Sequence, residues 1–201
     1  GASIRIQLNE NKLYFDKSTD LSFLFNNIGS TSGKFIDSNG NDITSIDIYV
    51  NKNESIDVST MFQNCTKFEY VNFKNNDIGF NNAGSLLYNN STIKGITGLN
   101  FSRISGTNSI SSYNIPNLGE FGIIDGSTIG GSLNIYKIWN ATKDTVRDGQ
   151  TIEYWYEKFA NALGNKAVTG TQTITINTTL YNSLTAAQQA LITDNGYTLA
   201  Y

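Results

Sequence analysis

Asp47, Asn72, Thr97 and Gly122 stand 25 residues apart, as do Ser45, Tyr70, Gly95 and Glu120 in a second series and Tyr49, Lys74, Leu99 and Ile124 in a third. Carboxylate, amide and hydroxyl groups repeated at a fixed spacing suit the bonding of ligand hydroxyls, and tyrosines suit stacking on a sugar or packing against a protein. The same residues are poorly suited to catalysis. The chain of 201 residues has no histidine, which excludes Ser-His-Asp and Cys-His nucleophile systems and the commonest kind of zinc site. Asp47 and Glu120 lie three repeats apart, about 14 Å at the usual strand spacing, which exceeds the separation used in paired-carboxylate hydrolysis. No catalytic residue, metal ligand or cofactor is therefore expected.

Other chemistry-bearing groups have plainer readings. Asp37-Ser38-Asn39-Gly40-Asn41-Asp42 has the oxygen spacing of a calcium-loop start, but Asp42 stands at the sixth position in place of glycine, and Ile48 stands at the twelfth in place of the bidentate glutamate. A turn explains these residues equally well. Asn-x-Ser/Thr triplets at Asn53, Asn64, Asn90, Asn100, Asn140 and Asn177 arise readily in a chain rich in Asn, Ser and Thr. Gly84 and Gly130-Gly131 lack the lysine and the strand-to-helix setting of a phosphate loop. Cys65 is the sole cysteine and reads as a small buried residue. Among the aromatic residues near the C-terminus, helical spacing assigns Trp155 and Phe159 to a core and leaves Tyr154 and Trp139 as candidates for exposure.

The elements that must position the three series repeat with the same period. Ile43, Ile46, Ile48; Phe68, Val71, Phe73; Ile93, Ile96, Gly98; and Leu118, Phe121, Ile123 share one apolar-x-x-apolar-x-apolar form, with Gly98 the one lapse. Met61-Phe62-Gln63-Asn64-Cys65-Thr66 precedes one set and Leu86-Leu87-Tyr88-Asn89-Asn90-Ser91 the next. An earlier copy, Leu21 to Ile28, carries an insertion of about a dozen residues around Ser30 to Asn41. A period of this length predicts stacked units, each too small to bury its own apolar face. Asp20 and Asp57 before apolar runs predict N-capped helical turns.

At the ends, Ile4, Ile6 and Leu8 alternate as in a strand, and Leu13-Tyr14-Phe15 is expected to return after a turn at 9–11 as a capping hairpin. A helix is expected over 151–163, stopped by Gly164, with a strand at 171–177. A second helix at 184–193 is capped by Thr185 and ended by Gly196, and a last strand spans 197–201.

The run from Asp57 to Phe73, with its Met61-Phe62-x-x-Cys65 turn before Phe68-x-x-Val71-x-Phe73, and the later Ile93-Lys94-Gly95-Ile96 segment resemble the BspA-like leucine-rich repeats of bacterial surface proteins. Leu184-Thr185-Ala186-Ala187-Gln188 and Gly196-Tyr197-Thr198 resemble the C-terminal segments of phage tail and receptor-binding proteins. The resemblance implies a leucine-rich-repeat-like α/β solenoid of short parallel strands in a single domain spanning 1–201. An N-terminal hairpin cap (4–19) would be followed by repeats (20–135) and a helical C-terminal cap (136–201). In a leucine-rich repeat the apolar strand positions point inward, which places Ser45, Asp47, Tyr49, Tyr70, Asn72, Lys74, Thr97 and Glu120 on an exposed, ligand-binding sheet face. An ordinary solvated face explains the same pattern.

The expected function is non-catalytic recognition of a cell-surface glycan or protein by an extracellular virion component, a phage tail or receptor-binding protein that is a possible homotrimer. Alternatives are a bacterial BspA-like adhesin, a polysaccharide-degrading β-helix enzyme and a structural spacer. A net charge of −3 with 15% charged residues offers no basic footprint for nucleic acid. No long apolar run predicts membrane insertion. Gly1-Ala2-Ser3 reads as a remnant of tag removal, from which a fragment of a longer protein is the expectation.

Overall fold

The computed structural model describes residues 5–7, 11–15, 20–28, 34–50, 55–74, 78–110, 114–139, 146–166 and 170–201. Ile4, residues 8–10, residues 30–33 of the insertion, and the triplets at Asn53 and Asn140 lie outside the described residues. The strands in chain order are β1 (Arg5–Gln7), β2 (Lys12–Phe15), β3 (Lys34–Ile36), β4 (Ser45–Val50), β5 (Ile56–Asp57), β6 (Tyr70–Phe73), β7 (Phe80–Asn82) and β8 (Gly95–Leu99). They continue with β9 (Thr107–Ser109), β10 (Glu120–Ile123), β11 (Ser132–Asn134), β12 (Val146–Arg147), β13 (Gln150–Thr151), β14 (Thr173–Thr175) and β15 (Thr198–Ala200). Three helices, α1 (Ile152–Ala162), α2 (Thr178–Ser183) and α3 (Ala186–Thr193), complete an α/β architecture whose sheets are mostly parallel.

The main sheet has the order β10-β8-β6-β4-β2, with every neighbouring pair parallel. Ile46 pairs with Val71, Val71 with Ile96 and Ile96 with Phe121, so the 25-residue sequence spacing is the strand register. All four side chains are buried, as alternation requires when one face of a strand meets the core. The second half of each unit joins other parallel pairs: β5 with β7, and β9, β11, β14 and β15 in one four-stranded sheet.

Several expectations need correction. The N-terminal hairpin does not form. β1 pairs in parallel with β3, and β2 pairs in parallel with β4, so the two segments enter different sheets. The strong alternation was legible, but the partner is set by which apolar edge is open, and that is a non-local choice.

The predicted N-capped helical turns are also replaced. Phe23 and Asn27, Thr60 and Asn64, and Ser85 and Asn89 all take positive φ, between 52° and 61°. Residues 22–28, 59–64 and 84–89 are consequently double turns instead of helix. The aspartates still act as local acceptors, with Ser22 N–H donating to Asp20 Oδ1 and Ser59 N–H to Asp57 Oδ1, both at 2.8 Å. Alternate N–H groups of each turn donate to the next: Val58 to Asn82, Thr60 to Gly84, Phe62 to Leu86 and Asn64 to Tyr88. The left-handed asparagines add a side-chain ladder, Asn64 donating to Asn27 and Asn89 to Asn64, each at 2.8 Å. A short amide side chain tolerates the left-handed region, which is why Asn holds this corner.

Gly98 does not occupy the third inward position. Its φ of +73° introduces a shift of register between β8 and β10, so that Leu99 pairs with Ile123 and is fully buried. The series Tyr49, Lys74, Leu99, Ile124 therefore leaves the outer face after Lys74.

At the C-terminal end the segment around the helices also closes the edge of the main sheet. Within the sheet, Gly119 N–H donates to the Lys94 carbonyl, and Lys94 N–H donates to the Glu69 carbonyl. The carbonyl of Gly119 has no further strand above it and accepts instead from Trp139 Nε1 at 2.7 Å, while Arg147 Nη1 donates to the Leu118 carbonyl. Trp139 is fully buried, contrary to its expected exposure, because its indole N–H satisfies a sheet edge. Tyr154 is exposed as expected. Helix α1 begins at its cap Thr151, whose hydroxyl accepts from Tyr154 N–H, and packs on β10 and α3. Gly164 is not a left-handed stop; a Cβ there would lie 2.2 Å from the Gly126 carbonyl oxygen, so close chain approach demands glycine. Helix α3 has the predicted Thr185 cap in a full capping box with Gln188, whereas α2 had no counterpart in the sequence reading. Strands β14 and β15 extend the β9–β11 sheet, so part of the segment expected as a helical cap is strand.

The core is one continuous cluster with an aromatic spine. Phe25 stacks on Phe62 at 5.3 Å, with Phe68 edge-on to both. Phe73, Phe80, Phe101, Phe121 and Phe159 follow at centroid spacings of 5.0 to 5.9 Å. Cys65 is buried beneath it as expected, and burial pushes its thiol pKa up.

Two buried phenols tie the cap together. Tyr156 donates to the Gln188 carbonyl at 3.1 Å, and Tyr197 Oη accepts from Ile129 N–H at 3.0 Å. Burial raises both pKa values, with Glu157 adding to the shift of Tyr156. A phenol raised in the fold ionises first in the unfolded chain, so its contribution is whole below about pH 10 and is lost as pH climbs through the folded value. Arg147 works in the opposite sense: burial lowers its pKa to about 10, so the unfolded chain binds the extra proton and this group favours folding more as pH rises above that value. With the phenols of Tyr70, Tyr156 and Tyr197 all raised against one lowered guanidinium, the melting temperature should fall as pH rises above about 10, and Tyr156→Phe should shrink the fall. A fall of equal size in the variant would exclude Tyr156 as a titrating group.

Candidate functional site

The outer face of the main sheet carries three rows. The first is Ser45, Tyr70, Gly95 and Glu120; the second is Lys12, Asp47, Asn72 and Thr97; the third is Tyr14, Tyr49 and Lys74. All eight residues expected on this face lie on it, half-buried or exposed, while Ile46, Ile48, Val71, Phe73 and Ile96 between them point into the core. The 25-residue spacing thus becomes the strand-to-strand spacing of a rigid surface.

The rows differ in what they leave available. In the second, Asn72 Nδ2 donates to Asp47 Oδ1 at 2.9 Å and Thr97 Oγ1 donates to Asn72 Oδ1 at 2.8 Å. Lys74 Nζ lies 3.5 Å from the same Asp47 oxygen. This ladder fixes the side chains, and it spends much of their bonding capacity on one another. In the third row Tyr14 and Tyr49 are stacked at 4.7 Å with 14° between their planes. One face of the Tyr49 ring is therefore covered, and Tyr14, 59% exposed, carries the outer position. Tyr14 was missed because Leu13-Tyr14-Phe15 was assigned to a hairpin. Its match to Ile48-Tyr49-Val50, 35 residues on, was the available signal.

In the first row the Tyr70 ring leans over Gly95, where a Cβ would come within 3.0 Å of Cδ1. Its hydroxyl reaches Asp148 Oδ1 at 3.4 Å. Burial raises the Tyr70 pKa, with the Asp148 charge adding. Asp148 and Gly149 form the two-residue turn of the antiparallel β12–β13 hairpin, at φ 50° and 75°. This Asp-Gly signal was present in the sequence and went unread. Neighbouring charges are paired: Lys94 with Glu69 at 3.0 Å and Lys158 with Glu120. Lys94 has a raised pKa, chiefly through its hydrogen bond to Glu69.

No family model, curated protein or solved structure matches the chain.

The calcium-like loop is occupied by its own backbone. Asp37 Oδ1 accepts from the N–H groups of Asn39 and Asn41, and Oδ2 accepts from Asn41 Nδ2, all at 2.8 to 2.9 Å. These bonds lower the Asp37 pKa, the Asn41 side chain first. Among the described residues no three His, Cys, Asp or Glu side chains converge as a metal site, and no helix is long and apolar enough to cross a membrane. Of the glycosylation triplets, Asn90 is fully buried, with its amide donating to the Phe62 carbonyl, and Asn177 caps α2.

Proposed function

We propose that the chain is a leucine-rich-repeat-like solenoid with a 25-residue repeat, serving as a non-catalytic recognition module of an extracellular surface or virion protein. The observation that supports this is the continuous parallel pairing from β4 through β6 and β8 to β10, shifted once at the Gly98 bulge, which holds Tyr49, Tyr70 and their polar neighbours on one rigid face. A rigid face orders few side chains on binding and so loses little entropy. The ligand is a cell-surface glycan or protein, and the C-terminal likeness favours a phage tail or receptor-binding component over a bacterial BspA-like adhesin. The carboxylates of this face are each engaged, Asp47 by Asn72 and Lys74 and Glu120 by Lys158, an arrangement suited to binding and poorly suited to general acid-base work.

One observation favours a second reading, a structural spacer: the Asp47–Asn72–Thr97 ladder satisfies its own members. Attachment of fluorescently labelled protein to bacterial cells and immobilised glycans separates the two. The Tyr49→Ala/Tyr70→Ala double variant should keep its fold by circular dichroism and lose at least tenfold in attachment. Undiminished attachment would favour the spacer, and release of reducing ends from a bound polysaccharide would overturn the non-catalytic reading. Light scattering adds the assembly state, a trimer supporting a virion fibre and a monomer a surface repeat module.

A further inference from the structure

Tyr49 and Tyr70 differ in what their rings can offer. Tyr49 has one face covered by Tyr14 and is the less exposed of the two. Tyr70 leans across Gly95, a position where any side chain would displace the ring. One side of that ring is backed by β8 and 36% of the residue stays exposed, while the hydrogen bond to Asp148 holds the ring in place. A pinned aromatic ring with an open face is the surface onto which the C–H groups of a pyranose pack, and fixing it beforehand removes the entropic cost of ordering it.

The groups around the ring define the sugar. Glu69 is paired with Lys94 and Glu120 with Lys158, so neither lysine is an uncommitted cation. Asp148 is exposed, and its recorded side-chain partner is the neutral Tyr70 hydroxyl, so it retains capacity to accept from sugar hydroxyls. With Arg147 beside Asp148, three cations stand against three carboxylates, and both lysines are ion-paired while the Arg147 guanidinium is buried and donates to the Leu118 carbonyl, so no open cation is left to hold a uronic, sialic or phosphorylated residue and the surroundings suit a neutral one. We propose that Tyr70, pinned over Gly95 and flanked by Asp148 of the β12–β13 turn, is the platform of a subsite for a neutral pyranose residue. The assignment rests on the recognition reading of the same sheet face and narrows its ligand class.

Titration of the intact chain with neutral gluco-, manno-, galacto- and N-acetylglucosamine oligosaccharides, and with polygalacturonate oligomers as the anionic control, tests the subsite by tryptophan and tyrosine fluorescence. At least one neutral series should bind, with Tyr70→Ala weakening it tenfold or more, Tyr70→Trp retaining it and Tyr201→Ala, at an exposed tyrosine outside this sheet, changing it less than twofold. Anionic oligomers should bind at least tenfold more weakly, and Asp148→Lys should narrow that gap. Neutral-sugar binding that depends on Tyr49 and not on Tyr70 would overturn the subsite and leave recognition by this face standing. Failure of every neutral series would overturn the subsite too, and cell attachment lost in the Tyr49→Ala/Tyr70→Ala double variant would then preserve the recognition reading with a protein as ligand.

Discussion

Replacing Gly98 with alanine should destabilise the chain by about 2–6 kcal/mol. The sum combines about 1–3 kcal/mol for a side chain in the left-handed region with about 1–3 kcal/mol for the backbone shift that an overfilled site forces. The residue sits at φ +73°, and an added Cβ would fall 1.9 Å from the Phe73 carbonyl oxygen. Backbone cannot swing aside as a side-chain tip can, so the clash must be relieved by moving β6 or β8. Gly126 is the matched control: its φ is +72°, with nothing within 4 Å of an added Cβ, so Gly126→Ala reports the conformational cost alone. Urea unfolding of both variants separates the two terms. Equal losses would mean that the close approach to Phe73 costs nothing and that the bulge relaxes freely. The change should also reach the outer face, because the same bulge sets where Thr97 meets Asn72 and where Leu99 turns inward.

Phe62→Ala should cost about 3–5 kcal/mol, as other buried Phe truncations do. The side chain is fully buried, stacked on Phe25 and edge-on to Phe68, and its backbone N–H donates to the Leu86 carbonyl. The cavity would open between Phe25 and Phe68, where the turns at 22–28 and 84–89 limit collapse. At about 2–4 °C per kcal/mol for a chain of this size, the melting temperature should drop by roughly 6–20 °C. A drop under about 3 °C would show that the fold does not depend on the aromatic spine. Phe62→Leu, which retains most of the volume, should recover more than half of the loss.

The two variants probe different sources of order. Phe62 tests burial, which is proportional to area and tolerant of direction. Gly98 tests backbone register, which decides where the functional groups stand. Tyr70 depends on both, since its row position follows from Val71 being inward and its tilt follows from Gly95 having no side chain.

The sequence by itself determined the register of the central sheet. Three apolar positions recurring every 25 residues can all be buried only if equivalent residues lie side by side, since a slip of one residue would turn each set outward. From that register followed the outward placement of Ser45, Asp47, Tyr49, Tyr70, Asn72, Lys74, Thr97 and Glu120. The Thr185 cap was legible for a related reason: its partners are four or fewer residues away.

Tertiary structure alone decided the rest, where the deciding partner is distant in the chain. Tyr14 joins the face because β2 finds the open edge of β4 in place of the neighbouring β1. Trp139 is buried because the Gly119 carbonyl at the last sheet edge needs a donor, and Asp148 reaches Tyr70 across 78 residues of sequence. The Met-Phe-x-x-Cys turns were read as helical because an aspartate before an apolar run suits a helix cap. In the fold their alternate N–H groups bond to the carbonyls of a neighbouring turn, and hydrogen bonds between turns replace those that a helix would make within itself. Local pattern fixes which side of a strand is apolar; the demand that every buried polar group find a partner fixes what lies beside it.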